Sequence, residues 1–432
     1  MTKKVKYNVM VGRRMAALRK EKNLTQAELG KEIGYQRSHI ANFESGNYPP
    51  GETAIKEYCR FFEVEPEYFQ EYPLCKKTQA LLGELYKNIL NEDYPLCEPL
   101  LKRLSGNRLN FEQEIVYNGL SSAFFYGMRN ETAAEEKGKV VSVFLNAVNY
   151  DFDDPVTLNK SQQLYQIERC RFDGKHQEAI DALLSLKELE PCKLAVLRIR
   201  LRICVSYFRK QDYYMCYELA SVLIKDLEGE NIPRLLSKSY VILASACSQL
   251  ELFQKSNAVL EKLELLVKKN ALIEDESILY SHRAYNLSQC GNKKAALENY
   301  KRSLRTVQGH ERYVGTHIAV ISNAIALENY TEANRSIQIL EKESLNQREK
   351  MVLQSFKGEI LLYQGDEKGY WRLQKKSLDF FLDYKLYHNV EYIYDRLIHY
   401  YQKNSSFTKA FKYQKIKEEI IRAKNSEKVN AS

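Results

Sequence analysis

The chain has 432 residues, with only 18 Gly and 9 Pro, 28% charged residues and a formal net charge of +9. That length suits two or more domains or one long repeat array, and the scarcity of helix breakers favours an all-α protein. No apolar run approaches the ~20 residues that a membrane helix needs, and MTKKVKYNVMVGRRM lacks the hydrophobic stretch of a signal peptide. The nine cysteines are scattered, with no CxxC or Cys/His cluster. They read as small buried residues in a reducing cytoplasm, and no disulfide or metal site is expected. Seven dispersed histidines and the absence of HExxH, GxxxxGK[ST] or GxSxG leave no catalytic set and no cofactor to expect.

Positive charge gathers at the start. Residues 1–40 hold ten Lys/Arg against three Glu, whereas residues 41–72 hold two against seven. The surplus includes Lys3, Lys4 and Lys6 and falls on the first three expected helices, where phosphates would be approached. Residues 24–46, LTQAELGKEIGYQRSHIANFESG, read as two short amphipathic helices joined by a glycine turn. Thr25 and Glu28 have the spacing of a capping box. Leu29 and Ile33 share one face, and Gly34 supplies the positive φ of a tight helix stop. Ile40 and Phe43 point the second helix inward, which leaves Arg37, Ser38 and Asn42 outward.

This segment resembles the phage-repressor-like (Xre-type) helix-turn-helix family. The pattern stands as Leu24, Thr25, Gln26, Leu29 and Gly30, then Ile40, Phe43, Glu44 and Gly46, within about residues 9–70. The resemblance implies that Gln26 anchors a phosphate or base edge and that Arg37, Ser38 and Asn42 read bases. His39, on the same helix, suits an edge contact to DNA, and Gln36 opens that helix. It further implies a buried Arg19–Glu44 pair tying the first helix to the recognition helix. Gln36 stands where the family has Ser or Thr, so the usual N-cap is missing.

From about residue 75 the pattern becomes long amphipathic helices in pairs. Polar turns recur at 172–179, 252–258, 291–296, 329–333, 365–369 and 405–410, each ending in a small residue: Ala179, Ala258, Ala296, Ala333, Gly369 and Ala410. A further turn near 209–214 lacks one. The roughly 36- to 42-residue intervals fit a helix–turn–helix repeat, and the stretch resembles degenerate tetratricopeptide repeats. About nine pairs fit between 75 and 424, stacked as a right-handed solenoid with a concave groove. The expected division is a five-helix DNA-binding domain over 1–70, a sensor domain over 71–424 and a fraying tail over 425–432.

Asn286 and Asn323 lie ten residues before Ala296 and Ala333, so they are equivalent in consecutive repeats. Asn is a poor helix former, and two at one position call for a reason. Either their amides hold the backbone of an extended peptide, or they cap and hydrogen-bond between helices. Arg198 and Arg202 share a helical face and could clamp a ligand carboxylate, unless they are an exposed charged stripe.

An Xre-type reader followed by tetratricopeptide repeats resembles the RRNPP peptide-pheromone receptors of Gram-positive bacteria. The resemblance implies a cytoplasmic homodimer that binds double-stranded DNA at an inverted repeat and is switched by a short linear peptide. The alternative is a DNA-binding regulator whose repeats take a protein partner, or a response-regulator antagonist.

Overall fold

The computed structural model describes residues 3–106, 108–145, 152–307 and 309–430, and every regular element among them is helical. The protein is an all-α chain in which a helix-turn-helix head precedes an array of paired helices. It divides into two compact units, Met1–Leu250 and Glu251–Ser432. No described helix is long and apolar enough to cross a membrane.

The first unit opens with α1 (Lys3–Glu21), α2 (Gln26–Ile33), α3 (Arg37–Ser45), α4 (Glu52–Phe62) and a 3-10 turn (Pro66–Phe69). Met15, Leu29, Ile40, Tyr58 and Phe69 form the buried centre of this head. There follow α5 (Lys76–Leu90), α6 (Cys97–Ser105), α7 (Phe111–Gly127), α8 (Glu131–Leu145), α9 (Pro155–Phe172), α10 (His176–Glu188), α11 (Lys193–Arg209), α12 (Tyr213–Leu227) and α13 (Pro233–Gln249). The second unit holds α14 (Phe253–Asn270), α15 (Ile273–Gln289), α16 (Lys293–Ser303), α17 (His310–Ala326), α18 (Tyr330–Leu340), α19 (Gln347–Tyr363), α20 (Glu367–Asp383), α21 (Tyr387–Lys403) and α22 (Phe407–Asn430). The backbone of α22 is helical as far as Asn430, beyond the point where the loss of apolar residues led us to expect fraying.

One backbone device repeats through the array. Glu92, Arg129, Gly174, Gln211, Glu251, Gly291, Glu328, Gly365 and Ser405 all have φ between +56° and +87°. Each stands two residues before the second helix of a pair, or before the 3-10 turn Tyr94–Leu96 that leads into α6 in the case of Glu92, and the following amide closes the helix before it. Lys175 N–H donates to Cys170 O at 2.8 Å, Asp212 to Tyr207 O at 3.0 Å and Asn329 to Ala324 O at 2.8 Å. At several of these turns the following residue is an Asp or Asn whose side chain then caps the next helix: Asn130 accepts from Ala133, Asp212 from Met215, Asn292 from Ala295, Asn329 from Glu332 and Asp366 from Gly369. One residue thus ends one helix and starts the next, which makes each turn short and its geometry repeatable.

Five residues after the left-handed position stand Cys97, Ala134, Ala179, Cys216, Ser256, Ala296, Ala333, Tyr370 and Ala410, none more than 4% exposed. This register corrects two of the small residues taken from the sequence. Ala258 is exposed, and Ser256 fills its place. Gly369 comes one residue early, with Tyr370 at the packing position. The turn near 209–214 has its small residue after all, in Cys216.

His282, on α15, is desolvated and lies near the positive charge of Arg312, which brings its imidazole down to about 4. An unfolded histidine takes its proton near pH ~6.5. Stability from this group is therefore complete above that pH and is lost progressively as pH falls toward the folded value. Urea unfolding of the wild-type chain should weaken between about pH 6.5 and pH 4.5. A His282→Gln chain should show a shallower decline, and parallel curves for the two chains would contradict the assignment.

Candidate functional site

The head presents α3 through a short chain of local causes. Thr25 Oγ1 accepts the Glu28 amide at 3.2 Å and Glu28 Oε2 accepts the Thr25 amide at 2.7 Å, so α2 starts on the expected capping box. Those contacts hold the Glu28 carboxyl below its usual range. Gly34 ends α2 at φ +77°. A Cβ on Gly30 would come within 2.4 Å of Tyr35 O, so the turn closes only over glycine. Gln36 is the N-cap of α3 and makes no capping hydrogen bond, as its residue type leads one to expect.

Ile40 is fully buried and Phe43 packs against the core, while Gln36, Arg37, Ser38 and His39 are exposed. Asn42 is half-buried one turn along the same helix. Beneath them, Arg19 grips Glu44 through two bonds, Nε to Oε1 at 2.6 Å and Nη2 to Oε2 at 2.8 Å, and its Nη1 donates to Leu24 O at 2.5 Å. Gln26 Nε2 also donates to Glu44 Oε2 at 2.9 Å, so that side chain is positioned by the buried pair. Four donors from α1 and α2 thus converge on the Glu44 carboxylate of α3 and on the carbonyl of Leu24. They set the height and tilt of α3.

The basic surplus needs one correction. Arg14 and Arg19 are buried and face acids inside the protein, because their partners Glu114 and Glu44 lie behind the reading surface. Among the described residues of the head the exposed cations are Lys20, Lys22, Lys31, Arg37, Lys56 and Arg60. The side chains of Lys3, Lys4 and Lys6 lie outside the described residues.

Arg14 has a different task. It lies on α1, 2% exposed, and donates to Glu114 Oε2 on α7 at 2.8 Å, to Gln70 O at 2.9 Å and to Leu109 O at 3.3 Å. Its guanidinium also stands 5.4 Å from the centre of the Tyr68 ring. The head is therefore bolted to the first helix pairs through a buried charge. This explains why a single compact unit continues past residue 70.

The four residues singled out in the array are placed as follows. Asn286 is fully buried and its Nδ2 donates to Ser256 Oγ and Asn257 Oδ1, both at 2.9 Å. Asn323 is 5% exposed, accepts from Ser288 Oγ at 2.9 Å and donates to Ala319 O at 2.8 Å. Both sit five residues before a left-handed turn residue and stitch one pair to the pair before it. That geometry is the interhelix alternative. Arg198 is half-buried.

Arg202 is buried and pairs with Glu168, which also receives Arg171 at 3.2 Å. Arg171 in turn holds Glu92 at 2.7 Å. Although burial opposes it, Arg171 and Arg202 keep the Glu92 carboxyl at about 2. Tyr86 donates to Glu190 at 2.8 Å and Lys238 Nζ to Asn91 O at 3.5 Å. The end of α5 and the turn after it thus cover this face of α9, α11 and α13, and Arg202 is not presented to a ligand as a free clamp.

The second unit offers what these residues do not. A hollow of about 230 Å3 crosses α17, α19 and α21, the first helices of three consecutive pairs, with Phe381 of α20 completing its wall. Ile318, Val352, Phe356 and Phe381 line it with apolar surface, and Ser322, His388, Asn389 and Tyr392 supply polar groups. Ser322 Oγ and Tyr392 OH stand 3.3 Å apart across it. Gly315 contributes a wall with no side chain, and a Cβ built there meets nothing within 4 Å. Sequence reading missed this site because its residues are spread over four helices of three successive pairs. The visible signal was Gly315 itself, a glycine inside a helix with no turn to explain it.

An exposed second helix on a compact head, followed by tandem helix pairs, defines a helix-turn-helix protein with a tetratricopeptide-like array. Residues 15–69 match the helix-turn-helix family model. The fold of the longer chain is shared with solved structures at low identity. The apo form of the quorum sensor NprR from B. thuringiensis aligns over 80% of this chain and 99% of its own, at TM-score 0.62 and 15% identity. A Rap protein complexed with Competence and Sporulation Factor aligns over 81% and 98%, at TM-score 0.60 and 13% identity. NprR in complex with its cognate peptide NprX aligns over 81% and 100%, at TM-score 0.54 and 15% identity. Among curated proteins no sequence relative is found.

Proposed function

We propose that this protein is a cytoplasmic transcription regulator of the RRNPP kind, a homodimer that binds operator DNA through α3 and is switched by a short linear peptide. The observation that carries the peptide half is the hollow across α17, α19 and α21, on the first helices of consecutive pairs. In repeat arrays such helices build the extended binding surface, where an apolar recess takes a side chain and flanking polar groups hold the backbone. The solved relatives whose fold this chain shares include a quorum sensor and its complex with a peptide, which supports the reading. The DNA half rests on Arg37, Ser38, His39 and Asn42 along the open side of α3, with Gln26 and Gln36 at its approach. A two-fold dimer would read an inverted repeat.

Selection of bound duplexes from a random pool by the full chain tests the DNA half. Once a site is in hand, Arg37→Ala and Asn42→Ala should each cost about 1–3 kcal/mol on it and relax base preference at one position per half-site. Equal weakening on every sequence would assign both residues to the backbone instead. A second reading, in which the array takes a protein partner, draws on Phe407 and Phe411, 66% and 62% exposed on α22. Affinity selection from a library of random peptides of about five to ten residues separates the two, because only the first reading expects saturable peptide binding.

A further inference from the structure

The first unit contains another cavity, of about 370 Å3, between the start of α10 and the end of α11. Lys175, His176 and Gln177 reach it from one side, Arg209 and Lys210 from the other. None of them belongs to the reading surface or to the second-unit hollow.

Three cations therefore border one recess, and their compensation is thin. Lys175 has Asp173 at 3.6 Å. Lys210 donates to the neutral Gln177 Oε1 at 2.8 Å, which orients its ammonium without cancelling the charge. Arg209 makes no direct ion pair among the described residues, and Glu92 and Glu168 offset its charge only from a distance, against the repulsion of Arg171 and Arg129. The carboxylate in the lining, Glu178, accepts from Cys170 Sγ at 3.8 Å.

Two donors nearby are buried without partners, His176 Nδ1 and Ser206 Oγ. Ser206 is 1% exposed and lies one turn before Lys210 on α11. It holds the register position of Asn286 and Asn323, but Ala179 stands where Ser256 would receive its hydrogen bond. Burial, then the charges of Arg209 and Arg171, push the His176 imidazole below its usual range, so the local field is positive.

A recess with unpaired donors and surplus positive charge is complementary to an oxyanion. We propose that this cavity binds the phosphate or carboxylate head group of a small molecule, with Arg209 and Lys210 supplying charge and His176 supplying a hydrogen bond. Its volume exceeds what one oxyanion fills and leaves room for a small carbon skeleton. The site is a second input to the first unit and stands independently of the peptide reading.

Calorimetric titration of the full chain with inorganic phosphate and, separately, with citrate at fixed ionic strength tests it. Saturable binding of either at a single site is expected, at least tenfold weaker in Arg209→Gln and in His176→Gln, with Arg209→Lys retaining part of the affinity. Phosphate alone would make the head group a phosphate, and citrate alone a carboxylate. The His176 ring resonances should move toward protonation on binding, a response that general ionic screening would not concentrate in one histidine. No saturable heat with either anion, or equal binding by wild-type and Arg209→Gln chains, would overturn the proposal.

Discussion

Replacing Arg14 with methionine should destabilise the first unit by about 3–5 kcal/mol at neutral pH, the cost of stranding a buried carboxylate. The lost contacts are those from Arg14 to Glu114, Gln70 O and Leu109 O. Glu114 would then keep the Tyr68 hydroxyl and the more distant Lys137 charge, but no paired cation. Burial already holds its carboxyl above the usual range, with Arg14 opposing the rise. Without Arg14 it rises further, so the folded variant takes a proton more readily than its unfolded chain. The deficit should therefore shrink as pH falls from about 8 to 5. Converting both partners, Arg14→Met with Glu114→Leu, should restore most of the loss, because an apolar pair needs no compensating charge. Urea unfolding of the three chains at two pH values reads all of this. A neutral-pH loss below about 1 kcal/mol for the single variant would mean the contact is only a surface-grade ion pair. The functional consequence is geometric: if the Arg14 contacts persist, a ligand that displaced α7 should displace the head with it.

Gly315→Leu should abolish peptide binding while leaving the second unit at least as stable as before. Glycine within a helix costs up to about 1 kcal/mol relative to other residues, and a larger side chain removes that cost. Space exists for it, since a Cβ at 315 meets no atom within 4 Å. Gly315 is one of the residues that line the hollow. A leucine there would fill the recess between Ile318 and Phe356 and displace the ligand side chain. A loss on the order of 100-fold in peptide affinity, about 2.7 kcal/mol, is the expected result. Thermal unfolding run alongside keeps the outcome clear. Unchanged affinity in a stable variant would move the peptide off this face.

The head was legible because its signals are local. Thr25, Glu28, Gly34 and Ile40 each specify their own few residues, and each is found in the role its type dictates. The absent cap at Gln36 was equally readable. Arg14 was not, since its partner lies 100 residues away and nothing in the first helix distinguishes a buried arginine from one that meets phosphate. In the array, helix length and turn spacing revealed the pairs, but a small residue near a turn does not fix the register. Ala258 and Ser256 both qualify as small, and only the left-handed Glu251 places the second at the seam. Asn286 and Asn323 were correctly paired as equivalents. Whether such an amide faces a groove or a neighbouring helix depends on the rotation of that neighbour, which periodicity does not supply.

The central claim is that a peptide seated in the second unit alters DNA binding by the head. Its most direct test is the affinity of the full chain for its selected duplex, measured by fluorescence anisotropy with and without a library-selected peptide. The account predicts a change of at least about fivefold, within the usual range of allosteric coupling, in the wild-type chain and none in Gly315→Leu. Identical DNA affinity with and without a peptide known to be bound, or the same shift in both chains, would contradict it.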